Sequence, residues 1–474
     1  MSLKDRVQSM VSRLEREDVN MHGFLLNVRG KFKAGAYYRP FREGQPHRLY
    51  SVSKTMTGLA IGMLADEGKL NLDQPAADFF SDLLPEHPDA RVLRQTIRDM
   101  LRMATCYAQT AYQEREDADW TRPFFTGTPS HEPGTVFHYD TGASQVLAAL
   151  VRRLSGLEVM DFLEERFFTL LGLRDERFWL KDPSGCCQGG TGLCMSLRDF
   201  HSVGQCLADG GRGLVPEWYV RQMTQKQIDT FQRPFSEERH GYGWQCWRTR
   251  AGWSMYGLGG QLCIVCPDRE AVLTTTADTR LHPFGTQKIY DAFFEEVYPW
   301  LGTEDMEPEM FGLSVRTLPD NPAFRRAETG PHAEAGPLAE ADAFPAAGPY
   351  LFEEGNPLRL KTLSLRENCL RLERAEGAAD LTFRPGEWLE TAWPGRPDVP
   401  AIVTSGRTAP GELRLRCHAV GTAPCGFEML LVLRQNTATV QCFRSHDPLT
   451  DDYDGVASGT RSPGPENGAD QEKC

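Results

Sequence analysis

The chain has 474 residues, of which 25% are charged and 40% hydrophobic, a composition that suits two or three domains with sizeable cores. Lysine and arginine number 52 against 65 aspartates and glutamates, which gives a net charge of -13. The sequence therefore offers no basic face that could displace counterions from a nucleic-acid backbone. We expect neither nucleic acid nor an anionic membrane as a partner.

Residues 1–17 are charged throughout and contain no apolar stretch of the kind found in secretion signals. Nowhere does the sequence approach the ~18 consecutive apolar residues of a membrane span. Thirteen cysteines are an odd number, and without a secretion signal they indicate buried thiols rather than a disulfide framework. The sequence therefore predicts a cytoplasmic protein.

Two groups of cysteines are candidate metal ligands. They are Cys186, Cys187 and Cys194, and Cys263 with Cys266. The last pair lies in a strand-like run, where positions i and i+3 point to opposite faces, and no further pair follows at zinc-ribbon spacing. We predict core thiols rather than a zinc site.

The segment 452–455 resembles the start of a calcium loop. Thr450 and Arg461 occupy the first and last ligand positions, however, where such a loop needs Asp and Glu. A polar turn is the better interpretation, and the sequence predicts no metal and no cofactor.

Residues 51–67 have the clearest helical pattern in the chain. Apolar side chains recur there at spacings of three and four, and Gly68 follows as a stop signal. The apolar positions are Met56, Leu59, Ala60, Met63 and Leu64. Residues 142–154 repeat this spacing, so the sequence predicts a helix in each segment.

Residues 264–274 predict a strand, a turn and a second strand, with Pro267 and Asp268 in the turn. Nearby, Trp244, Trp247 and Trp253 could line an apolar cleft, although core positions are favoured. Helices combined with antiparallel hairpins indicate an α+β domain.

The composition changes from Gly302 onward, because Pro, Ala, Glu and Gly accumulate through residues 318–320, 333–337 and 344–349. Beyond them, residues 358–365, 413–416 and 429–433 alternate or run apolar between turn signals, which indicates short strands. We predict a first domain over residues 1–300, a connector over 301–347, a β-rich C-terminal module over 348–459 and a disordered tail over 460–474.

Ser51 and Lys54 stand at the head of the first predicted helix. The i, i+3 spacing puts the hydroxyl and the amine on one face, where the amine can take the hydroxyl proton. The helix N-terminus adds partial positive charge that favours a developing oxyanion. Alone, this pattern is also typical of an ordinary helix start with a solvated lysine.

Further motifs follow in an order that resembles the serine β-lactamase-related family. This family includes class C β-lactamases, DD-peptidases, esterases and nylon-oligomer hydrolases. The matching segments are residues 47–55 (HRLYSVSKT), 70–75 (LNLDQP), 97–101 (IRDML), 133–143 (PGTVFHYDTGA), 241–244 (GYGW) and 256–261 (YGLGGQ). The resemblance spans about residues 20–300 and implies an antiparallel sheet flanked by helices, with a helical subdomain.

The resemblance also implies roles for individual residues. Ser51 would be the acylated nucleophile, Lys54 its proton acceptor and Tyr139 a phenol that shuttles a proton to the leaving group. The oxyanion hole would use the backbone N–H groups of Ser51 and Leu258. The positions expected to bind substrate are Thr141, Tyr256, Gly257 and Gly259.

Two departures from the family pattern bear on substrate. Thr141 stands where many members have asparagine, so recognition of a substrate amide is in question. Met255 stands where penicillin-recognising members have lysine, so no cation is offered to a substrate carboxylate. These differences favour the esterases and nylon-oligomer hydrolases as the nearer comparison.

The sequence as a whole predicts a serine hydrolase that acts on a small ester, amide or peptide-like molecule. Two alternatives stay open, a β-lactamase or penicillin-binding DD-peptidase-like protein, and a non-catalytic ligand-binding or regulatory protein on the same fold. The sequence does not indicate an oligomeric state.

Overall fold

The computed structural model describes residues 2–109, 119–282, 284–302, 313–317, 347–366, 368–384, 388–406, 411–421, 425–445 and 450–462. Most of the predicted connector and all but the first three residues of the predicted tail lie outside these ranges.

The first domain combines helices with an antiparallel sheet. Its helices are α1 (Leu3–Arg16), α2 (Val52–Asp66), α3 (Ala90–Arg94), α4 (Ile97–Leu101), α5 (Arg122–Thr126), α6 (Thr141–Ser155), α7 (Val159–Leu163), α8 (Leu197–Ala208), α9 (Glu217–Met223) and α10 (Gly285–Ala292). Its strands are β1 (Met21–Val28), β2 (Lys31–Arg39), β3 (His47–Arg48), β4 (Phe178–Trp179), β5 (Leu193–Met195), β6 (Trp247–Thr249), β7 (Gly252–Gly257), β8 (Gln261–Cys266), β9 (Ala271–Ala277) and β10 (Leu313–Thr317).

The central sheet has seven strands in the order β10-β2-β1-β9-β8-β7-β6. All neighbours pair antiparallel except β10, which lies parallel to β2. The predicted hairpin is confirmed as β8 and β9, joined by a short turn at Pro267–Arg269. Strands β3, β4 and β5 form a separate small sheet.

Both predicted helices are confirmed. They correspond to α2 and α6, each of which begins within one residue of the predicted position. Helix α6 begins after Asp140, whose side chain accepts a hydrogen bond from the Gly142 N–H, and it ends at the left-handed Gly156. The two helices pack against each other, and α2 also packs against β7. This packing brings the N-terminal ends of α2 and α6 close to one edge of the central sheet.

The C-terminal module is a ten-stranded antiparallel sheet. Its strands are β11 (Ala347–Phe352), β12 (Leu360–Arg366), β13 (Cys369–Arg374), β14 (Gly377–Thr382), β15 (Leu389–Trp393), β16 (Arg396–Gly406), β17 (Glu412–Ala419), β18 (Gly426–Leu433), β19 (Thr437–Arg444) and β20 (Gly455–Arg461). Alternate side chains such as Leu363, Leu365, Leu370 and Leu372 are buried in one core. The fold class predicted from the resemblance, with its added all-β module, is confirmed.

Strand β10 lies inside the segment predicted as a connector. Its five residues extend the sheet of the first domain beside β2. Residues 313–317 therefore belong to the first domain and not to a connector. The surrounding composition concealed the strand, because a five-residue run between Pro- and Glu-rich stretches gives little periodicity.

The twelve cysteines among the described residues are all buried. Burial raises the pKa of Cys263 to about 12, as expected for a thiol in an apolar core. Among the described residues, no three His, Cys, Asp or Glu side chains are grouped to hold a metal ion. Within the same ranges, no helix combines the length and apolar character needed to cross a bilayer.

Candidate active site

Ser51 and Lys54 meet at the beginning of α2, as their spacing predicts. Lys54 Nζ lies 3.1 Å from Ser51 Oγ and donates a hydrogen bond to the Gly190 carbonyl at 2.9 Å. A side chain at Gly190 would crowd this amine, because a Cβ there would lie 3.0 Å from Nζ and 2.7 Å from the Thr141 methyl carbon. Glycine at position 190 therefore lets the backbone approach the amine and orient it.

The Lys54 amine is buried, with 1% of the residue exposed. Burial lowers the pKa of Lys54 to about 7, and the nearby Asp140 carboxylate opposes this shift. A large fraction of the amine is therefore neutral near pH 7, and a neutral amine can accept a proton.

Tyr139 joins this pair from the segment that precedes α6. Its hydroxyl is hydrogen bonded to Ser51, and the centre of its ring lies 5.0 Å from Lys54 Nζ. Burial raises the pKa of Tyr139, against the opposing effect of the hydrogen bond with Ser51. The phenol therefore stays protonated at neutral pH and can act as a proton donor.

The chain beside Tyr139 is held firmly. Asp140 is fully buried, and its carboxylate accepts hydrogen bonds from the Gly142 N–H at 2.9 Å and the Thr105 hydroxyl at 3.0 Å. The Tyr139 ring stacks on Trp247 with centres 5.6 Å apart. Trp247 is thus both a core residue and a wall of the site, whereas the sequence presented these as alternatives.

The predicted oxyanion loop follows β7. Gly257 ends this strand so close to the segment before Ser51 that a Cβ on it would lie 2.1 Å from the Leu49 carbonyl oxygen. Gly259 and Gly260 have φ values of 84° and 95°, which only glycine adopts readily. Leu258 therefore directly follows the end of β7, where β7 contacts the segment that leads into Ser51.

Gln261 holds this loop in place, a role that sequence reasoning did not assign. Its buried amide donates to the carbonyls of Leu258 and Ala277, both at 2.8 Å, and accepts from the Ala277 N–H at 3.1 Å. The glutamine of the glycine-glycine-glutamine motif therefore fixes the orientation of the loop backbone.

The remaining predicted residues lie at the edges of the site. Thr141 begins α6, and its methyl carbon would lie 2.7 Å from a Cβ at Gly190, which places it beside the Lys54 amine. Tyr256 precedes Gly257 on β7, and its ring lies 6.0 Å from that of Trp247. Met255 is fully buried in the core, so the position where penicillin-recognising relatives have lysine carries no charge.

An ion pair between the buried Glu238 and the half-buried Arg233 adjoins Tyr256 and Tyr139, and no sequence pattern predicted it. Glu238 is hydrogen bonded to the Tyr256 hydroxyl and accepts from Arg233 Nε at 2.7 Å. The Arg233 guanidinium carbon lies 6.0 Å from the centre of the Tyr139 ring. These charges come from the stretch that follows α9 and precedes the GYGW segment at residues 241–244, and this stretch matches none of the family motifs.

One family of known proteins matches most of the first domain. The Beta-lactamase family model matches residues 13–288, more than half of the chain. The chain belongs to the β-lactamase family. The recognition made from the motifs is thereby confirmed.

Several family members can be compared directly. A 6-aminohexanoate-dimer hydrolase from Paenarthrobacter ureafaciens is 25% identical over 299 residues, which cover 57% of this chain and 76% of that protein. A β-lactamase-like protein from Bacteroides dorei has a TM-score of 0.53 at 15% identity, covering 63% of this chain and 99% of that one. A D-amino acid amidase from Ochrobactrum anthropi has a TM-score of 0.49 at 15% identity, covering 63% and 97%.

A cleft of about 710 Å³ lies elsewhere in the β-lactamase-related domain. It is lined by Met63, Asp66 and Glu67 at the C-terminal end of α2, together with residues 209–217. A 15-residue helix is roughly 22 Å long, so this cleft lies about a helix length from Ser51. It contains none of the residues assembled around the nucleophile.

Proposed function

We propose that this protein is a serine hydrolase that cleaves small esters or amides through an acyl-enzyme on Ser51. The observation that carries the proposal is the 3.1 Å contact between Ser51 Oγ and a buried Lys54 amine whose pKa is lowered to about 7. A neutral amine at this distance can accept the hydroxyl proton as the oxygen attacks a carbonyl. This chemistry needs no cofactor.

In the proposed acylation, Ser51 Oγ forms a bond to the carbonyl carbon while its proton passes to Lys54. The backbone N–H groups of Ser51 and Leu258 would stabilise the resulting oxyanion. Tyr139 gives its proton to the departing alkoxide or amine and takes one from the Lys54 ammonium. Water then attacks the acyl-enzyme with the same groups acting in reverse, which releases the acid and restores Ser51.

Apolar side chains exposed around the site support a substrate with an apolar acyl group. They are Val136 just before Tyr139, Leu258 of the predicted oxyanion loop, and Phe231. The Gln232 amide donates to the Phe137 carbonyl at 3.0 Å, which holds the loop of Phe231 beside that of Val136. Burial of a methylene contributes about 0.8 kcal/mol, so kcat/KM is expected to rise from p-nitrophenyl acetate to the butyrate and hexanoate esters.

Hydrolysis of p-nitrophenyl butyrate by wild-type and Ser51→Ala protein tests the proposed function. We expect turnover by the wild type and none above background by the variant. Faster turnover of a chromogenic cephalosporin than of esters would favour the β-lactamase or DD-peptidase alternative. Folded wild-type protein that turns over neither substrate would favour a non-catalytic binding protein.

Tyr139→Phe is expected to lower kcat about 100-fold or more on an alkyl amide, because a positioned proton donor contributes 10²–10⁴. The loss should be much smaller on a p-nitrophenyl ester, whose leaving group needs no proton, since Phe keeps the stacking on Trp247. The measurement is kcat on both substrates. Equal losses would show that Tyr139 does not protonate the leaving group.

A further inference from the structure

Tyr50, directly before the nucleophile, has a backbone conformation that needs support. Its φ is 47°, in the left-handed region that costs a residue other than glycine about 1 kcal/mol or more. Two guanidinium groups lie over the buried ring, with the Arg48 carbon 4.8 Å and the Arg280 carbon 5.4 Å from its centre. Cation–π contacts of this kind stabilise a ring in place.

Arg280 is itself fixed by Asp278. The guanidinium donates from Nε to Oδ1 at 2.8 Å and from Nη2 to Oδ2 at 3.1 Å, and the two side chains are 6% and 1% exposed. The adjacent Thr279 N–H donates to the Gly259 carbonyl at 3.1 Å. One buried ion pair therefore lies between the segment that carries Ser51 and the predicted oxyanion loop.

The C-terminal module covers this ion pair. His418 of β17 is buried, and its Nδ1 lies 3.9 Å from Asp278 Oδ2, too far for a hydrogen bond. Neither ring nitrogen has a hydrogen-bond partner among the described residues. Burial lowers the pKa of His418 to about 4, so the ring is neutral at pH 7. A neutral ring here excludes water from the carboxylate, and exclusion of water strengthens the pair.

Two further contacts hold the module against the first domain. Arg416, on the same strand as His418, makes a bidentate ion pair with Asp18, both distances being 3.1 Å. Ile402 of β16 is buried within the core cluster of the first domain. Strands β16 and β17 thus form the face of the module that contacts the first domain. His418, which lies over Asp278, is part of this face.

We propose that the C-terminal module is part of the catalytic unit, because His418 covers the Asp278–Arg280 pair that holds Tyr50 and the oxyanion loop in the conformation needed for acylation. His418, Asp278 and Arg280 are positioning residues that act through Tyr50 and Gly259. This inference rests on the proposed acylation of Ser51, and it assigns the module a role in catalysis rather than in binding a separate partner.

Three variants of the full chain test the inference. His418→Ala admits water to the ion pair, and Arg280→Lys keeps the charge but loses the bidentate geometry. Asp18→Asn is the matched control, because it removes the negative charge that pairs with Arg416 of the module while asparagine tolerates the positive φ of 58° at this position. The measurements are kcat and KM on p-nitrophenyl butyrate and the thermal unfolding midpoint.

We expect His418→Ala and Arg280→Lys to lower kcat about tenfold or more with KM changed less than about twofold, since small displacements of reacting groups cost this much. Asp18→Asn should lower the unfolding midpoint and leave kcat within about twofold. Wild-type kcat in folded His418→Ala or Arg280→Lys would overturn the inference. A wild type without esterase activity would instead overturn the proposed function, so the two failures are distinguishable.

Discussion

Lys54→Met is expected to slow hydrolysis of p-nitrophenyl butyrate at least about 100-fold at pH 8 while the protein remains folded. The variant removes the group that accepts the Ser51 proton, and a positioned base contributes 10²–10⁴. Methionine fills a similar volume without a charge, so the packing of α2 is retained. The measurement is kcat/KM, with folding checked by circular dichroism.

The pH dependence of kcat/KM in the wild type should follow the titration of the Lys54 amine. Because burial lowers the pKa of Lys54 to about 7, the neutral fraction grows with pH. We expect kcat/KM to rise about tenfold per unit below pH 7 and to level off above it. Lys54→Met should lose this inflection, whereas Lys69→Met, an exposed lysine beyond the end of the same helix, should keep it.

The lowered pKa also predicts a gain in stability for Lys54→Met. The pKa of the Lys54 amine is near 10.5 in the unfolded chain and about 7 in the folded protein, so the folded state binds the proton less tightly. Burial of the ammonium therefore destabilises the fold by its full amount below pH 7. This destabilisation decreases as the pH rises from 7 to 10.5. The variant should therefore unfold at a higher temperature than the wild type at pH 6. Wild-type activity or a retained inflection near pH 7 would contradict the assignment of Lys54 as base.

Gly257→Ala is expected to lower kcat about 100-fold or more. The new Cβ would lie 2.1 Å from the Leu49 carbonyl oxygen, so the end of β7 must move away from the segment that carries Ser51. Loss of one oxyanion donor costs 10²–10³ in kcat, and the overpacking costs about 1–3 kcal/mol of stability. The measurements are kcat and the free energy of unfolding in urea.

Leu258→Ala is the matched control for this glycine. Its side chain is exposed, and the proposed oxyanion donor is its backbone N–H, which alanine retains. We expect kcat within about threefold of the wild type, whereas loss of this apolar side chain should raise KM for the butyrate ester. A folded Gly257→Ala protein with wild-type kcat would show that the end of β7 does not form the oxyanion hole.

The contact between Ser51 and Lys54 was predictable because a helix brings positions i and i+3 onto one face. Tyr139 could be predicted only through the family resemblance, since no local pattern connects residue 139 with residue 51. Helix α1 was missed although the sequence carries its signals: Ser2 and Asp5 form a capping box, and Leu3, Val7 and Met10 are buried at helical spacing. The many charges between these apolar positions obscured the pattern.

Other parts of the site left no signal in the sequence. Gln261 acts by hydrogen bonding backbone carbonyls, and any segment of the chain can present a carbonyl. The position of the Glu238–Arg233 pair beside Tyr256 and Tyr139 depends on contacts between segments far apart in the chain. The cover of His418 over Asp278 depends on such contacts as well. Such contacts are fixed by tertiary packing, which neither spacing nor composition records.

The most direct test of the proposed site is to treat the purified full-length protein with a fluorophosphonate and locate the adduct by peptide mass spectrometry. The serine oxygen would form a bond to phosphorus as fluoride leaves, so labelling reports activation of the nucleophile without assuming a substrate. We expect one adduct, on Ser51, that is lost in Lys54→Met and retained in Lys69→Met. Folded wild-type protein that stays unlabelled, or that is labelled at another serine, would contradict Ser51 as the nucleophile.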